Sequence, residues 1–134
     1  MAGLPGTSPA TASTTLSRMP DAVPLSAEDN KLVTLARATK ARTRAAEGAA
    51  VRDTDGRTYA AATVALPSLQ VSAIGVCIAM ALSSGSQGLE AVVLLTEGDG
   101  LADADRAAVA DFAGGGVPVL VGDARGNVQE QLSS

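Results

Sequence analysis

Ala49-Ala50-Val51-Arg52-Asp53-Thr54-Asp55-Gly56-Arg57-Thr58-Tyr59 sets an Asp-Gly pair between two β-compatible runs. Asp-Gly accepts the positive φ of a tight turn, and with extended segments on both sides it is the strongest short-range hairpin signal. Upstream, Ser26 followed three residues later by Asp29 resembles a capping box. Leu32, Leu35, Ala36, Thr39, Thr43 and Ala46 then fall on one helical stripe, and Arg37, Lys40 and Arg44 on another face. This amphipathic helix is predicted to end near Glu47-Gly48. Residues 1–24 are rich in Thr, Ser, Pro and Ala without an apolar period. They bury too little surface to offset their ordering entropy, so they are predicted to form a disordered tail before a folded domain over 25–134.

Downstream of the hairpin, Pro67-Ser68 ends the second strand and starts a predicted helix over Leu69–Ser83 that is apolar nearly all round. Such a helix belongs in the middle of something. Ala91–Thr96 reads as a central strand and Asp103–Ala113 as a short helix. Gly114-Gly115-Gly116 reads as a turn, and Val117–Val121 as a last strand whose Pro118 suits an edge or a strand start. The order α-β-β-α-β-α-β, a hairpin followed by βα crossovers, implies an α/β fold in which helices cover the faces of a mixed sheet.

Composition narrows the chemistry. The 134 residues contain no histidine and one cysteine. That removes Ser–His–Asp and Cys–His nucleophilic machinery, an intrachain disulfide and a thiolate zinc site. The charged metal ligands left are carboxylates, which suit Mg²⁺ or Ca²⁺. One Phe, one Tyr and no Trp argue against base stacking on single-stranded nucleic acid, and a net charge of −4 argues against duplex binding. With 27 alanines beside 14 glycines, the chain is built for helices and close packing. No run is long enough for a membrane span, and the start lacks a basic region followed by an apolar stretch. A cytoplasmic, reducing location is expected.

Four features compete for a functional role. The basic face of Arg37, Lys40 and Arg44 suits an anionic partner or plain solvation. The acidic group Glu97, Asp99, Asp103 and Asp105, with Asp103 and Asp105 at its centre, suits a divalent cation or acid/base work. The same residues also suit the positive end of a helix dipole. Cys77 reads as a thiol at a helix start or as a small buried apolar residue. Basic residues gather between Lys31 and Arg57 and acidic ones from Glu90 onward, a division that self-association could use.

The stretch Glu47-Gly48-Ala49-Ala50-Val51, then Asp55-Gly56-Arg57-Thr58-Tyr59, resembles the Val-Gly-Ala-Ala strand and Asp-Gly-Arg-x-Tyr hairpin of the cytidine deaminase family, the small zinc nucleoside deaminases. Pro67-Ser68, the apolar central helix, and Asp103-Ala104-Asp105-Arg106 through Phe112 keep that family's order over residues 26–130. The resemblance implies a three-layer α/β/α fold with a mixed sheet, a zinc cofactor, and a dimer or tetramer packed around the central helix. In that family a (Cys/His)-Ala-Glu triplet and a Pro-Cys-x-x-Cys motif supply the zinc ligands and the proton-shuttling carboxylate. Those motifs fall here on Ile74-Gly75-Val76 and on Leu101-Ala102-Asp103-Ala104-Asp105. The ribose-gripping Asn-x-Glu falls on Thr63-Val64-Ala65, and the aromatic residue beside the base falls on Ala45.

Three of the four chemical positions, Ile74, Val76 and Ala102, therefore lack a ligand or a proton carrier, and only Asp105 offers an oxygen. The expected protein has the deaminase fold without its zinc, catalytic residues or cofactor, and acts in assembly or partner binding as a homo-oligomer. A nucleoside- or nucleotide-binding module on the same fold and a divergent hydrolase are the alternatives.

Overall fold

The computed structural model describes residues 23–134. Helix α1 (Ala27–Thr43) leads into the hairpin β1 (Glu47–Asp53) and β2 (Thr58–Ala62). A small hairpin, β3 (Val64–Leu66) and β4 (Leu69–Val71), precedes α2 (Ala73–Ser83). Then follow β5 (Leu89–Thr96), α3 (Asp103–Ala113), β6 (Pro118–Gly122) and β7 (Val128–Ser133). The main sheet runs in the order β2-β1-β5-β6-β7. Only β5 and β6 are parallel, joined by the α3 crossover, and every other neighbouring pair is antiparallel.

Strand alternation divides the core into two halves. Ala49 and Val51 of β1, Val92 and Leu94 of β5, and Val119 and Val121 of β6 turn toward α2 and α3, where they meet Ile74, Cys77 and Val109. The intervening Ala50, Ala91, Val93, Leu95 and Leu120 turn the other way, onto Leu32, Val33 and Ala36 of α1. Because β5 and β6 are covered on both faces, they read as continuous apolar runs. The result is the expected mixed sheet between helical layers.

The approach of α1 to β1 depends on Gly48. A Cβ there would collide with the Ala36 carbonyl oxygen and lie 2.7 Å from Lys40 Cβ. This is why glycine heads the Gly-Ala-Ala run, all three residues of which are buried.

Several boundaries differ from the sequence reading. The segment Leu69–Val71, predicted as the first turn of the central helix, is a strand. Leu66 pairs with Leu69 and Val64 with Val71 across a two-residue Pro67-Ser68 turn, and the helix begins only after Ser72. An apolar run of this length fits strand and helix alike, and the turn chemistry decides. Helix α1 ends at Thr43, short of Glu47-Gly48, because Arg44 adopts a left-handed φ of 55° and its N–H donates back to Ala41 O. On α1, Val33 takes the buried place expected for Leu35, which is 38% exposed. Ser26 caps Asp29 N–H as expected, but the Asp29 carboxylate turns to Arg52 at 3.1 Å instead of closing a reciprocal box. Pro118 starts β6, which is an interior strand. The edge on that side belongs to β7, whose run Val128-Gln129-Glu130-Gln131-Leu132-Ser133 has too little apolar alternation to be read from sequence.

Most of the expected tail, residues 1–22, lies outside the described residues. Val23 N–H donates to Val128 O at the start of β7, and Val23 and Leu25 pack on the α1 half of the core.

Candidate functional site

The first turn of α2 and the first turn of α3 meet at a pair of side chains. Ser72 is the N-cap of α2, its Oγ accepting from Gly75 N at 2.9 Å. The same hydroxyl donates its proton to Asp105 Oδ1 at 2.6 Å. Asp105 is only 8% exposed although it sits in the opening turn of α3. One hydroxyl thus satisfies an orphan amide of one helix and a buried carboxylate of the other. Ala102, the α3 N-cap, makes no side-chain cap bond, so Asp103 and Asp105 are the acidic residues facing that helix start.

The positions singled out in the sequence lie around this junction. Ile74 is fully buried in the core and Val76 is packed partly into it. Ala102 and Asp103 are exposed, and Glu97 and Asp99 lie exposed in the preceding loop. Asp103 and Asp105 are therefore not a matched carboxylate pair, since one faces solvent and the other is committed to Ser72. Among the described residues, no three Cys, Asp or Glu side chains converge as metal ligands would. Thr63 accepts from Glu47 N–H at 3.0 Å through Oγ1 and donates its own N–H to Glu47 O, which closes the end of the β1–β2 pair.

The basic residues are dispersed. Arg37 donates to Arg125 O at 3.5 Å, and Lys40 pairs with Glu97 at 3.4 Å with only 12% of its side chain exposed. Arg44 lies beyond the helix as its cap. Arg37 and Lys40 thus reach two different loops, and Arg44 ends the helix.

Cys77 is buried against β2, its Sγ directed at Tyr59 O at 3.7 Å, and burial pushes its thiol up to about 12. A thiol so held is not a nucleophile near neutral pH, and the small-apolar reading of Cys77 is the one that fits.

A buried carboxylate that sequence reading passed over is Asp53. It is 0% exposed, and its Oδ1 accepts from Asp55 N at 2.9 Å and Arg57 N at 2.8 Å, while Oδ2 accepts from Ser86 Oγ at 2.5 Å. The Ser86 hydroxyl, and after it the Arg57 and Asp55 amides, hold this carboxyl below the ordinary carboxylate range against the opposing effect of burial. Asp-Thr-Asp-Gly announces the turn, but the reach to Ser86, thirty-three residues on, has no local signature. Ser72 was equally hidden, because Leu69–Val71 read as helix and left no place for a cap.

A model of the cytidine deaminase-like family matches residues 25–126. The chain belongs to the cytidine deaminase-like family. Solved structures of the same architecture include cytidine deaminase from Burkholderia pseudomallei, at 21% identity and a TM-score of 0.68 over 78% of this chain and 91% of that one. Cytidine deaminase from Mycobacterium leprae matches at 22% identity and 0.61 over 78% and 93% of the two chains. The Mycobacterium tuberculosis enzyme matches at 21% identity and 0.59 over 72% and 85%. Identity this low speaks for the fold. A search of curated protein sequences found no match.

The zinc that the resemblance implies for a cytidine deaminase-like chain does not fit the residues at this junction. Tetrahedral zinc in a catalytic site takes three protein ligands from Cys, His and carboxylate. The side chains of Ile74 and Ala102 have no lone pair to give, which leaves Asp105, whose Oδ1 accepts from Ser72, as one ligand where three are needed. The single thiol is buried with its Sγ on the Tyr59 carbonyl. Val76, at the place of the proton carrier, is a hydrocarbon.

Proposed function

We propose that this cytidine deaminase-like chain is non-catalytic and acts in assembly, with a second copy of itself as its first partner. The observation that carries the reading is the junction of α2 and α3. Side chains without donors stand at Ile74, Val76 and Ala102, and the one carboxylate is tied to Ser72. The positions that the resemblance assigns to zinc and to the proton carrier thus hold one carboxylate among three hydrocarbon side chains, which speaks against a zinc-activated water.

Surface chemistry supports the assembly role. Leu66 and Leu69, at the tip of the β3–β4 hairpin, are 56% and 53% exposed, and Leu82 on α2 is 53% exposed. Val76 and Met80 are partly covered on the same helix. Apolar side chains left in water beside a helix whose inner face is packed are a common mark of a contact surface. Among the described residues no helix is long and apolar enough to cross a membrane, so a lipid span does not account for them.

A second reading, a nucleoside- or nucleotide-binding module, draws on a groove of about 600 Å³ between α2 and α3. Ile78, Leu82 and Phe112 form its apolar walls, with Ser86, Gln87 and Asp111 as polar groups. Apolar walls with a few polar anchors are the usual make-up of a small-molecule site.

Metal content and cytidine turnover, measured on one purified sample before and after zinc addition, test the non-catalytic reading. Neither bound zinc nor turnover is expected. Stoichiometric zinc with turnover overturns it. Cytidine and cytidine monophosphate added to the same sample test the second reading, which requires ligand-dependent stabilisation by mass action.

A further inference from the structure

The bond between Ser72 and Asp105 does more than fill space at the junction. Ser72 has one hydroxyl proton, and it goes to Asp105 Oδ1, while a lone pair on the same oxygen takes Gly75 N–H. Asp105 is more than nine-tenths buried and exchanges water for this one partner at 2.6 Å. The two residues are thirty-three positions apart, and they add a polar tie at the starts of two helices that share one apolar core. Ala102 gives α3 no side-chain cap, and Asp105 is the buried residue of its first turn.

We infer that the Ser72–Asp105 pair is a metal-free clamp that holds the N-termini of α2 and α3 together at the place where the resemblance implies zinc. The clamp needs a hydroxyl at 72 and an acceptor oxygen at 105, and it needs no cation. It rests on the non-catalytic reading in one respect only, that no metal joins these two helices. A buried acceptor stripped of its donor carries its full desolvation penalty, so once one partner is gone the loss of the other adds little, and the two losses do not sum.

Thermal unfolding of the full chain in EDTA and in excess zinc chloride tests this, with Ser72→Ala, Asp105→Ala and the double variant compared. Each single variant is expected to lower Tm by roughly 5 °C. The double variant is expected to fall by clearly less than the sum of the two. Wild type is expected to keep its Tm in EDTA and in zinc alike. Asp105→Asn keeps an acceptor oxygen, and Ser72→Thr keeps the hydroxyl; both are expected to stay near wild type, and they decide the matter if an alanine variant does not fold. Strictly additive losses, or Asp105→Asn as damaging as Asp105→Ala, would overturn the clamp while leaving the non-catalytic reading standing. A wild-type Tm that rises with zinc, and does not rise in Asp105→Ala, would overturn both.

Discussion

Asp53 shows how much one buried carboxylate can organise when both of its oxygens have donors. Its three acceptor bonds fasten the β1–β2 turn and pin the loop after α2 through Ser86. Replacing it with Ala leaves two turn amides and a buried hydroxyl without their partner, a loss of about 3 kcal/mol in urea unfolding. Asp53→Asn keeps one acceptor oxygen and is expected to lose less. The pH dependence follows from the direction of the shift. The folded carboxyl titrates below its unfolded value, so its stabilisation is complete above the unfolded pKa of about 4 and fades as pH falls through the folded one. Asp123 works in the same direction, held low first by the Asn127 amide. Urea midpoints measured from pH 6 down to pH 3 should therefore fall in wild type, and fall less steeply in Asp53→Asn. Cys77 gives a prediction of the opposite kind. Its thiol should stay unreactive toward a disulfide reagent at pH 8 in the native protein and react fully in urea, because burial holds it protonated.

Among the elements, the two hairpins contrast in what they bury. The β1–β2 hairpin is part of the main sheet, and its first strand carries a glycine for a packing reason. Gly48→Ala forces a methyl group into the α1 backbone at Ala36, at a cost of about 2–3 kcal/mol. At the turn, Gly56 has φ of +85° and open space around it, so Gly56→Ala pays only for the left-handed backbone, about 1 kcal/mol. Comparing their urea midpoints separates steric from conformational demand, and equal losses would count against the close approach of α1. The β3–β4 hairpin by contrast pairs only with itself and holds its leucines out. It ends at Val71, directly before the Ser72 cap of α2.

On the scale of the whole molecule, the distribution of apolar surface carries the prediction about assembly. Leu66, Leu69 and Leu82 are each more than half exposed in the protomer. Their replacement by Glu should therefore cost the monomer little, since surface substitutions away from packed contacts change stability by about half a kcal/mol. The expected outcome for Leu82→Glu, and for Leu66→Glu with Leu69→Glu, is a smaller species by light scattering at an almost unchanged Tm. A wild-type chain that is monomeric at micromolar concentration would remove the assembly reading. The pairing of Lys40 with Glu97 and of Arg52 with Asp29 and Glu90 also bears on partners. Lys40–Glu97 and Arg52–Glu90 join the basic early half of the chain to its acidic later half within one protomer, which reduces the charge division available between copies.

The amino-acid sequence by itself determined the class of the fold and the residue types available for chemistry. Asp55-Gly56 required a turn, the period of α1 required a helix, and the continuous apolar run of β5 required a central strand, while Pro118 left β6 between an edge and a strand start. The absence of histidine and the single cysteine were complete statements as soon as they were counted. These signals are local or compositional, so no contact had to be known to use them. Tertiary structure decided what depends on partners far along the chain. It made Leu69–Val71 a strand by giving it Val64–Leu66 to pair with. It chose Val33 over Leu35 for the core and placed the polar β7 at an edge. It spread Arg37, Lys40 and Arg44 among separate neighbours, and it gave the carboxylates of Asp53 and Asp105 to two serines, each thirty-three residues away. A hydrogen bond across that separation leaves no period and no spacing in the sequence, because each end is chosen only by the space the folded chain brings to it.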